Sequence, residues 1–319
     1  MEEIAITEIP GFLLGHAQNR EAGTGCTVIL CPEGAVAGAD VRGGSPGTRD
    51  TDALDPVNNR KVIHGVLLSG GSAFGLDAAG GVMRYLEERG IGRDVGVTYV
   101  PNVCAAILFD LKCGSAAVRP DAAMGYEACR SAGAAPFPDG NHGAGTGATV
   151  GKILGHNHAM KGGIGSFAWR EGELTVGAVV AVNCVGDVYD RAEGRLIAGV
   201  RGADGRTLIG SEEIIVSQYA DRADFYSGNT VLGCVVTNAR LSKAQAKKLA
   251  SVAQNGIARA VSPAHSVYDG DTVFAMCAGQ VDAALDAVAI LAARAVEQAI
   301  LRAVRAAEAA YGHPACRDL

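Results

Sequence analysis

The chain has 319 residues, of which 48% are hydrophobic and 19% charged, so it is long enough to bury a sizeable core. Its net charge is −6 and its basic residues do not cluster, which excludes a nucleic-acid interface. The amino terminus lacks the pattern of a signal peptide and no run of about 18 apolar residues occurs, so we expect a cytoplasmic protein without a membrane span.

The first part of the chain combines two apolar strand candidates with one helix. Residues 26–31 (CTVILC) and 62–69 (VIHGVLLS) are apolar on both faces, which is typical of strands covered by other layers. Residues 73–89 predict a helix that Ser72 would cap. Gly90 follows it, where a left-handed residue often ends a helix.

The rest of the chain continues to mix strands and helices. Further strand candidates are 147–154, 174–184, 231–238 and 272–278. Further helices are predicted from Pro120-Asp121 to about 132, over 243–261 after Ser242, and from about Asp282 to Tyr311. This mixture indicates α/β packing, and no change in composition marks a boundary, so we expect a single domain over 1–319.

Two loops stand out between these elements. Residues 133–147 (GAAPFPDGNHGAGTG) form a connection rich in glycine and proline. Residues 219–229 (YADRADFYSGN) are polar and irregular, and they lead directly into the apolar strand VLGCVV. A polar linker that runs into a buried strand is a suitable place for a break in the chain.

Two glycine-rich segments resemble known catalytic or binding motifs but lack a required residue. GGSAFG at 70–75 has Phe74 where the nucleophile elbow of serine hydrolases needs glycine. GAGTGATVGK at 143–152 has Thr146 and Ile153 where a phosphate-binding loop needs glycine and Ser or Thr.

The histidines and cysteines predict neither a metal nor a cofactor. The nine cysteines are odd in number and scattered without a CxxC pair, so we expect reduced and mostly buried thiols. His156 and His158 accompany no metal-binding spacing and are expected in a solvated loop.

Two segments retain chemical interest. SGNTVLGCVVTNARLS at 227–242 places Asn229 and Thr230 at the mouth of an apolar strand, and SVYDGDTVFAM at 266–276 places Asp269 and Asp271 at another. Each alone is weak, because Asn-Thr pairs are common and Asp-Gly-Asp is usually a solvated turn.

Together with GGSAFGLDAAGGVMRYLEERG, GAGTGATVGK and VVAVNCVGDVYDR, these segments resemble the P1-type self-processing peptidases in order and spacing. That family includes L-aminopeptidase/D-esterases, β-peptidyl aminopeptidases and nylon-oligomer hydrolases. The likeness covers nearly the whole chain and is closest to the 6-aminohexanoate-oligomer hydrolase branch. It implies a four-layer α-β-β-α sandwich resembling N-terminal nucleophile hydrolases, and a homotetramer of cleaved protomers.

The resemblance also implies specific residues. The chain would be cut between Asn229 and Thr230, and the pieces 1–229 and 230–319 would stay associated. Thr230 matches the nucleophile. The other positions that match the family's site are Lys152, Asn183, Asp269 and Asp271, together with Phe109 at a substrate-binding position where we expect tyrosine in a relative.

The chemistry explains why a cut before threonine matters. A hydroxyl needs a base, and the amine of a terminal threonine, with a pKa of about 7.7–8.0, can serve as one. Before the cut that nitrogen is an amide, so activity should be absent until cleavage.

The remaining site residues have alternative interpretations. Lys152 would lower the pKa of the amine as a nearby cation, or it is a solvent-facing strand residue. Asn183 would donate to the oxyanion, or it forms a structural hydrogen bond to a neighbouring loop. Asp269 and Asp271 would orient Thr230 or bind a substrate ammonium, or they form a turn.

We therefore predict hydrolysis of a peptide or another small peptide-like amide through an acyl-Thr230 intermediate. An acyl transferase that uses the same chemistry and a non-catalytic small-molecule binding protein are the alternatives. The preferred substrate among α-peptides, β-peptides, D-amino-acid esters and 6-aminohexanoate oligomers stays open.

Overall fold

The computed structural model describes residues 1–133, 136–218 and 228–319. Most of the predicted linker at 219–229 and part of the loop at 133–147 therefore lie outside the described residues. The strands in the described residues are β1 (Glu2–Ile4), β2 (Leu13–Asn19), β3 (Thr24–Val41), β4 (Thr48–Arg49), β5 (Ile63–Ser69), β6 (Arg93–Asp94), β7 (Tyr99–Val100), β8 (Val103–Ile107), β9 (Thr149–Val150), β10 (Met160–Lys161), β11 (Gly163–Glu171), β12 (Leu174–Asn183), β13 (Asp187–Asp190), β14 (Arg195–Ala198), β15 (Thr230–Ala239), β16 (Val261–Ser262) and β17 (Thr272–Val281).

The helices mostly follow the sequence signals. They are α1 (Ala78–Glu87), α2 (Ala122–Arg130), α3 (Ser211–Ser217), α4 (Lys243–Ala260) and α5 (Leu285–Ala306). Asp121 caps α2 by accepting a hydrogen bond from the amide of Met124, and Ser242 caps α4. The last helix is shorter than the predicted span from Asp282 to Tyr311.

The predicted start of the first helix was wrong. Residues Ser72–Asp77 form a 3-10 turn, and Asp77 rather than Ser72 precedes α1. Ser72 itself has a φ of 55°, in the left-handed region that serine rarely adopts. The GGS segment is therefore a tight turn at the end of β5 and not a helix cap.

A long shared strand links two sheets. In the first, the order is β1-β11-β12-β15-β17 followed by the second half of β3. In the second, the first half of β3 pairs with β2 and β5, and β8 and β4 complete the sheet. The pairing of β3 with β5 shifts register between Leu30 and Ala35, where Gly34 has a φ of 85°. This irregularity carries the chain from one sheet into the other.

Apolar residues pack in three layers and thereby confirm the predicted α-β-β-α sandwich. Along β15, Val231 and Val235 pack in the cluster that includes α4 and α5, whereas Leu232 and Val236 pack between the sheets. A third cluster joins the second sheet to α1 and α2. Because alternate residues of a strand point to opposite faces, an apolar run such as VLGCVV suits a strand covered on both sides.

The cysteines match their prediction, whereas the histidine pair and strand 147–154 do not. All nine cysteines are free thiols, and eight of them are buried. His156 and His158 lie half-buried in a 3-10 turn, so the prediction of a solvated loop was wrong. Strand 147–154 is reduced to Thr149–Val150, because the chain turns at Gly151 with a φ of 70°. None of the helices in the described part of the chain has the length and apolar character that crossing a membrane requires.

Candidate active site

The Asn229–Thr230 junction lies where three strands of the first sheet meet. Thr230 is the first residue of β15 and pairs with Asn183, the last residue of β12. On its other side β15 runs parallel to β17, and Asn229 forms a bridge with Asp269 just before that strand. The sheet thus brings together residues that are far apart in the sequence.

The peptide bond of the junction is closely held. The hydroxyl of Thr230 donates to the carbonyl oxygen of Asn229, and the backbone amide of Gly270 donates to the same oxygen at 2.9 Å. Thr230 is only 3% exposed. A Cβ on residue 270 would lie 2.7 Å from the Thr230 hydroxyl oxygen, so glycine is required for this approach.

The two aspartates are buried rather than in a solvated turn. Asp271 accepts the amide of Val231 at 2.7 Å with one carboxylate oxygen. Its other oxygen accepts the backbone amide and the Nδ1–H of His265, at 3.0 and 2.8 Å. Asp271 is therefore tied to the residue that follows Thr230.

Asp269 is equally buried and is linked to the residues that follow β12. It accepts the amide of Val185 at 3.2 Å and the hydroxyl of Ser266. Burial and the neighbouring charge of Asp271 raise the pKa of Asp269. A buried carboxyl of this kind can keep a proton near neutral pH.

Lys152 and Asn183 form a buried pair next to Thr230. The ammonium of Lys152 donates to both oxygens of Asn183, at 2.8 Å to the carbonyl and 2.9 Å to the side chain. Burial lowers the pKa of Lys152. It is only 2% exposed, so the alternative of a solvent-facing lysine was wrong.

The side-chain amide of Asn183 makes structural hydrogen bonds. Its Nδ2 donates to the carbonyl oxygens of Phe109 at 3.0 Å and Gly228 at 3.5 Å, and its Oδ1 also accepts the amide of Thr149 at 2.9 Å. In the uncut chain, Asn183 therefore forms the structural hydrogen bonds to neighbouring loops that were the alternative to an oxyanion role. Both residues that accept hydrogen bonds from Nδ2 line the pocket beside the Asn229–Thr230 bond.

Phe109 belongs to a small pocket at this junction. The pocket holds about 50 Å³ and is lined by Ser45, Ser72, Ile107, Phe109, Gly228, Asn229, Thr230 and Tyr268. Pockets that bind drug-sized molecules hold roughly 300–1,000 Å³, so this one is too small for such a ligand while the chain is uncut. A larger cavity of about 450 Å³ contains Asp187 and Arg259 but none of the predicted site residues.

Several residues of this site were missed by sequence reasoning. Gly270 was expected only to allow a bend between the two aspartates, and its contact with the Asn229–Thr230 junction was missed. Nothing in the local pattern singles out His265 or Tyr268. His265 has a φ of 57°, and its Nε2 is buried without a hydrogen-bond partner among the described residues. Only the folded arrangement of β15 and β17 reveals these neighbours.

The chain is similar to known proteins along nearly its whole length. The sequence model of peptidase family S58 matches residues 5–316. An uncharacterised aminopeptidase of Mycobacterium leprae (strain TN) is 41% identical, over 97% of this chain and 92% of its own length. A 6-aminohexanoate-oligomer endohydrolase of Kocuria sp. (strain KY2) is 33% identical, over 86% of this chain and 75% of its own length.

Solved structures share the fold. A β-aminopeptidase of Burkholderia sp. has a TM-score of 0.68 at 23% identity, covering 95% of this chain and 86% of its own. The L-aminopeptidase D-Ala-esterase/amidase of Ochrobactrum anthropi, described as a variant of the Ntn-hydrolase fold, has a TM-score of 0.70 at 19% identity with the same coverage.

Proposed function

This chain belongs to peptidase family S58 and is a hydrolase of amide bonds, and from this premise we propose that it cuts itself before Thr230 and then uses Thr230 as an amino-terminal nucleophile. The observation that supports the proposal most is the contact of the Thr230 hydroxyl with the carbonyl oxygen of Asn229. The expected products are the pieces 1–229 and 230–319.

Self-cleavage needs no group from outside except water. The Thr230 hydroxyl oxygen attacks the carbonyl carbon of Asn229, the C–N bond breaks, and the hydroxyl proton ends on the Thr230 nitrogen. Water then hydrolyses the new ester, which leaves a carboxylic acid on Asn229 and a free hydroxyl on Thr230. The Gly270 amide, at 2.9 Å from the Asn229 oxygen, is aimed at the oxyanion that forms in both steps.

Substrate hydrolysis repeats the same ester chemistry. The new amine of Thr230 takes the hydroxyl proton, the hydroxyl oxygen attacks the substrate carbonyl, and the proton passes to the leaving amine. Water then releases the acyl group. Lys152 supports this arrangement by holding both oxygens of Asn183, the residue paired with Thr230.

Asn183 changes its role after the cut. In the uncut chain its Nδ2 donates to Phe109 and, at 3.5 Å, to Gly228. Once the segment that ends at Asn229 withdraws, the bond to Gly228 is lost. That N–H is then free to donate to the oxyanion of a bound substrate, beside the amide of Gly270.

The two aspartates are assigned a positioning role. Both are 1% exposed and already accept protein donors, so a substrate ammonium would have to displace these bonds. Asp271 fixes the start of β15 through the Val231 amide, and Asp269 fixes the loop after β12.

The substrate class is a peptide or a peptide-like amide. Relatives are named as an aminopeptidase and as an oligomer endohydrolase, and the proposal for this chain covers both. Acyl transfer would use the same ester with an amine in place of water as the second nucleophile.

The test compares wild-type protein with Thr230→Ser and Thr230→Ala on a panel of amino-acyl anilides, β-alanyl anilide and 6-aminohexanoate oligomers. Hydrolysis by the wild type, reduced hydrolysis by Thr230→Ser and none by Thr230→Ala is the expected result. Hydrolysis that persists in Thr230→Ala overturns the proposal. Acylated amine in place of free acid, when an amine acceptor is added, identifies a transferase, and binding without any turnover identifies a binding protein.

A further inference from the structure

Gly228 packs against the ring of Phe109 more closely than any other residue type could. A Cβ on residue 228 would lie 2.2 Å from Cγ and 2.4 Å from Cβ of Phe109. Gly228 also has a φ of 59°, which residues other than glycine rarely adopt. The space around residue 228, just before the proposed cut, therefore has room for the backbone but not for a side chain.

The same space is relevant to the processed protein. Self-cleavage passes through an ester in which the hydroxyl oxygen of Thr230 carries the acyl group of Asn229, with Gly228 one residue upstream. Turnover of a substrate passes through an ester on the same oxygen. The two acyl groups must therefore extend from Thr230 into the same surroundings unless the pocket walls move.

The wall that carries Phe109 is anchored to the second sheet and to neighbouring loops. Ile107 ends β8, and Phe109 follows it closely, with its carbonyl oxygen fixed by Asn183. Asp110, the next residue, accepts the Gly71 amide at 2.7 Å and the Thr24 hydroxyl at 2.7 Å. The ring of Phe109 is thus attached to a segment held on both sides.

From these contacts, and resting on the proposed function, we infer that the space of Gly228 and Asn229 is the acyl subsite of the processed enzyme and that Phe109 restricts it to acyl groups unbranched at the position of Gly228. Two kinds of substrate satisfy this restriction. An amino-terminal aminoacyl group ends before Phe109, and a linear chain such as 6-aminohexanoyl passes it without a side chain. A peptide cleaved after its second residue is accepted only if its first residue is glycine.

The test uses processed protein and three anilides: alanyl, glycyl-alanyl and leucyl-alanyl p-nitroanilide. Release of the intact dipeptide is followed by mass spectrometry, so that removal of the first residue alone is not counted. We expect glycyl-alanine to be released at least roughly thirtyfold faster, as kcat/KM, than leucyl-alanine. Phe109→Ala, which keeps the backbone carbonyl that Asn183 binds, should reduce that ratio to below about five.

Phe109→Tyr is the matched control, because it keeps the ring and should keep the ratio. Phe109→Leu should give an intermediate ratio and replaces Phe109→Ala if that variant does not fold. A ratio near one in the wild type, or a ratio unchanged in the smaller variants, overturns the inference about the subsite. Turnover of alanyl p-nitroanilide that survives Thr230→Ala overturns the proposed function instead, so the two failures are distinguishable.

Discussion

Gly270 can approach the Asn229–Thr230 bond closely because it has no side chain. Its amide contacts the Asn229 oxygen, and a Cβ would meet the Thr230 hydroxyl at 2.7 Å and the carbonyl oxygen of Ser45 at 2.8 Å. We predict that Gly270→Ala slows self-cleavage roughly 10- to 100-fold, because a displacement of about 1 Å at reacting atoms has effects of that size. The fraction of cut chain during cell-free synthesis, read on a denaturing gel, measures the rate.

Gly80→Ala provides the control for that substitution. Gly80 lies within α1, and a Cβ there would meet no atom within 4 Å. Its cleavage rate should equal that of the wild type. Equal rates for Gly270→Ala and the wild type would show that the Gly270 approach is unimportant.

Asp110 gives a prediction about pH. It is 3% exposed, and burial raises its pKa to about 6. Between the ordinary Asp pKa of about 3.9 and pH 6 the folded state holds this proton while the unfolded state has lost it, so the folded state binds more protons and this group's contribution to stability falls as pH rises. The loss is complete above about pH 6 and amounts to about 3 kcal/mol at most.

Asp110→Asn removes that dependence. Between pH 4 and 7 the parent protein, which retains Asp110, should lose stability relative to the variant. The free energy of unfolding of the variant minus that of the parent should therefore increase with pH. Urea titrations measure the difference in a Thr230→Ala background, in which we expect the chain to stay uncut. A difference that does not change with pH would contradict the assigned pKa.

At the scale of single residues the sequence was informative only with the resemblance to a known family. Asn-Thr and Asp-Gly-Asp are common pairs, and nothing local marks Asp269 or Asp271 as buried. Their burial depends on the parallel pairing of β15 with β17, a contact across about 40 residues of chain. His265 was missed for the same reason.

At the scale of elements, helix α4 was predictable because its start is chemically explicit. Ser242 and Gln245 form a capping box, in which the Ser242 amide donates to the Gln245 side chain at 2.9 Å. We predict that Ser242→Ala lowers the free energy of unfolding by about 1 kcal/mol and leaves the cleavage rate unchanged. Urea titration measures the first quantity, and exposed Lys248→Ala serves as a control expected to lie within about 0.5 kcal/mol of the parent.

Other elements were harder to predict. The segment Pro32-Glu33-Gly34 looks like the end of a strand, yet β3 continues to Val41 because its second half pairs with β17. The predicted start of α1 was wrong because Ser72 resembles a helix cap. In the structure Ser72 instead begins a 3-10 turn and lines the pocket beside Thr230. In both cases tertiary pairing overrides a local signal.

At the scale of the whole molecule, the proposed cut falls inside a sheet that both pieces would share. β15 would begin the small piece, yet it lies between β12 of the large piece and β17 of its own. We predict that the two pieces elute together in size-exclusion chromatography and separate only in denaturant, because burial on both faces of β15 holds them together. Separate elution under native conditions would contradict this. The homotetramer and the cytoplasmic location stay predictions.

Self-cleavage would make Thr230 an amino terminus through its own hydroxyl. Intact-mass measurement with amino-terminal sequencing, on wild type and Thr230→Ala after equal incubation, reveals whether this happens. We predict two masses for the wild type, with the smaller piece beginning Thr-Val-Leu-Gly, and one uncut mass for the variant. A wild-type chain that stays whole, or one cut at a different bond, would rule out self-cleavage before Thr230.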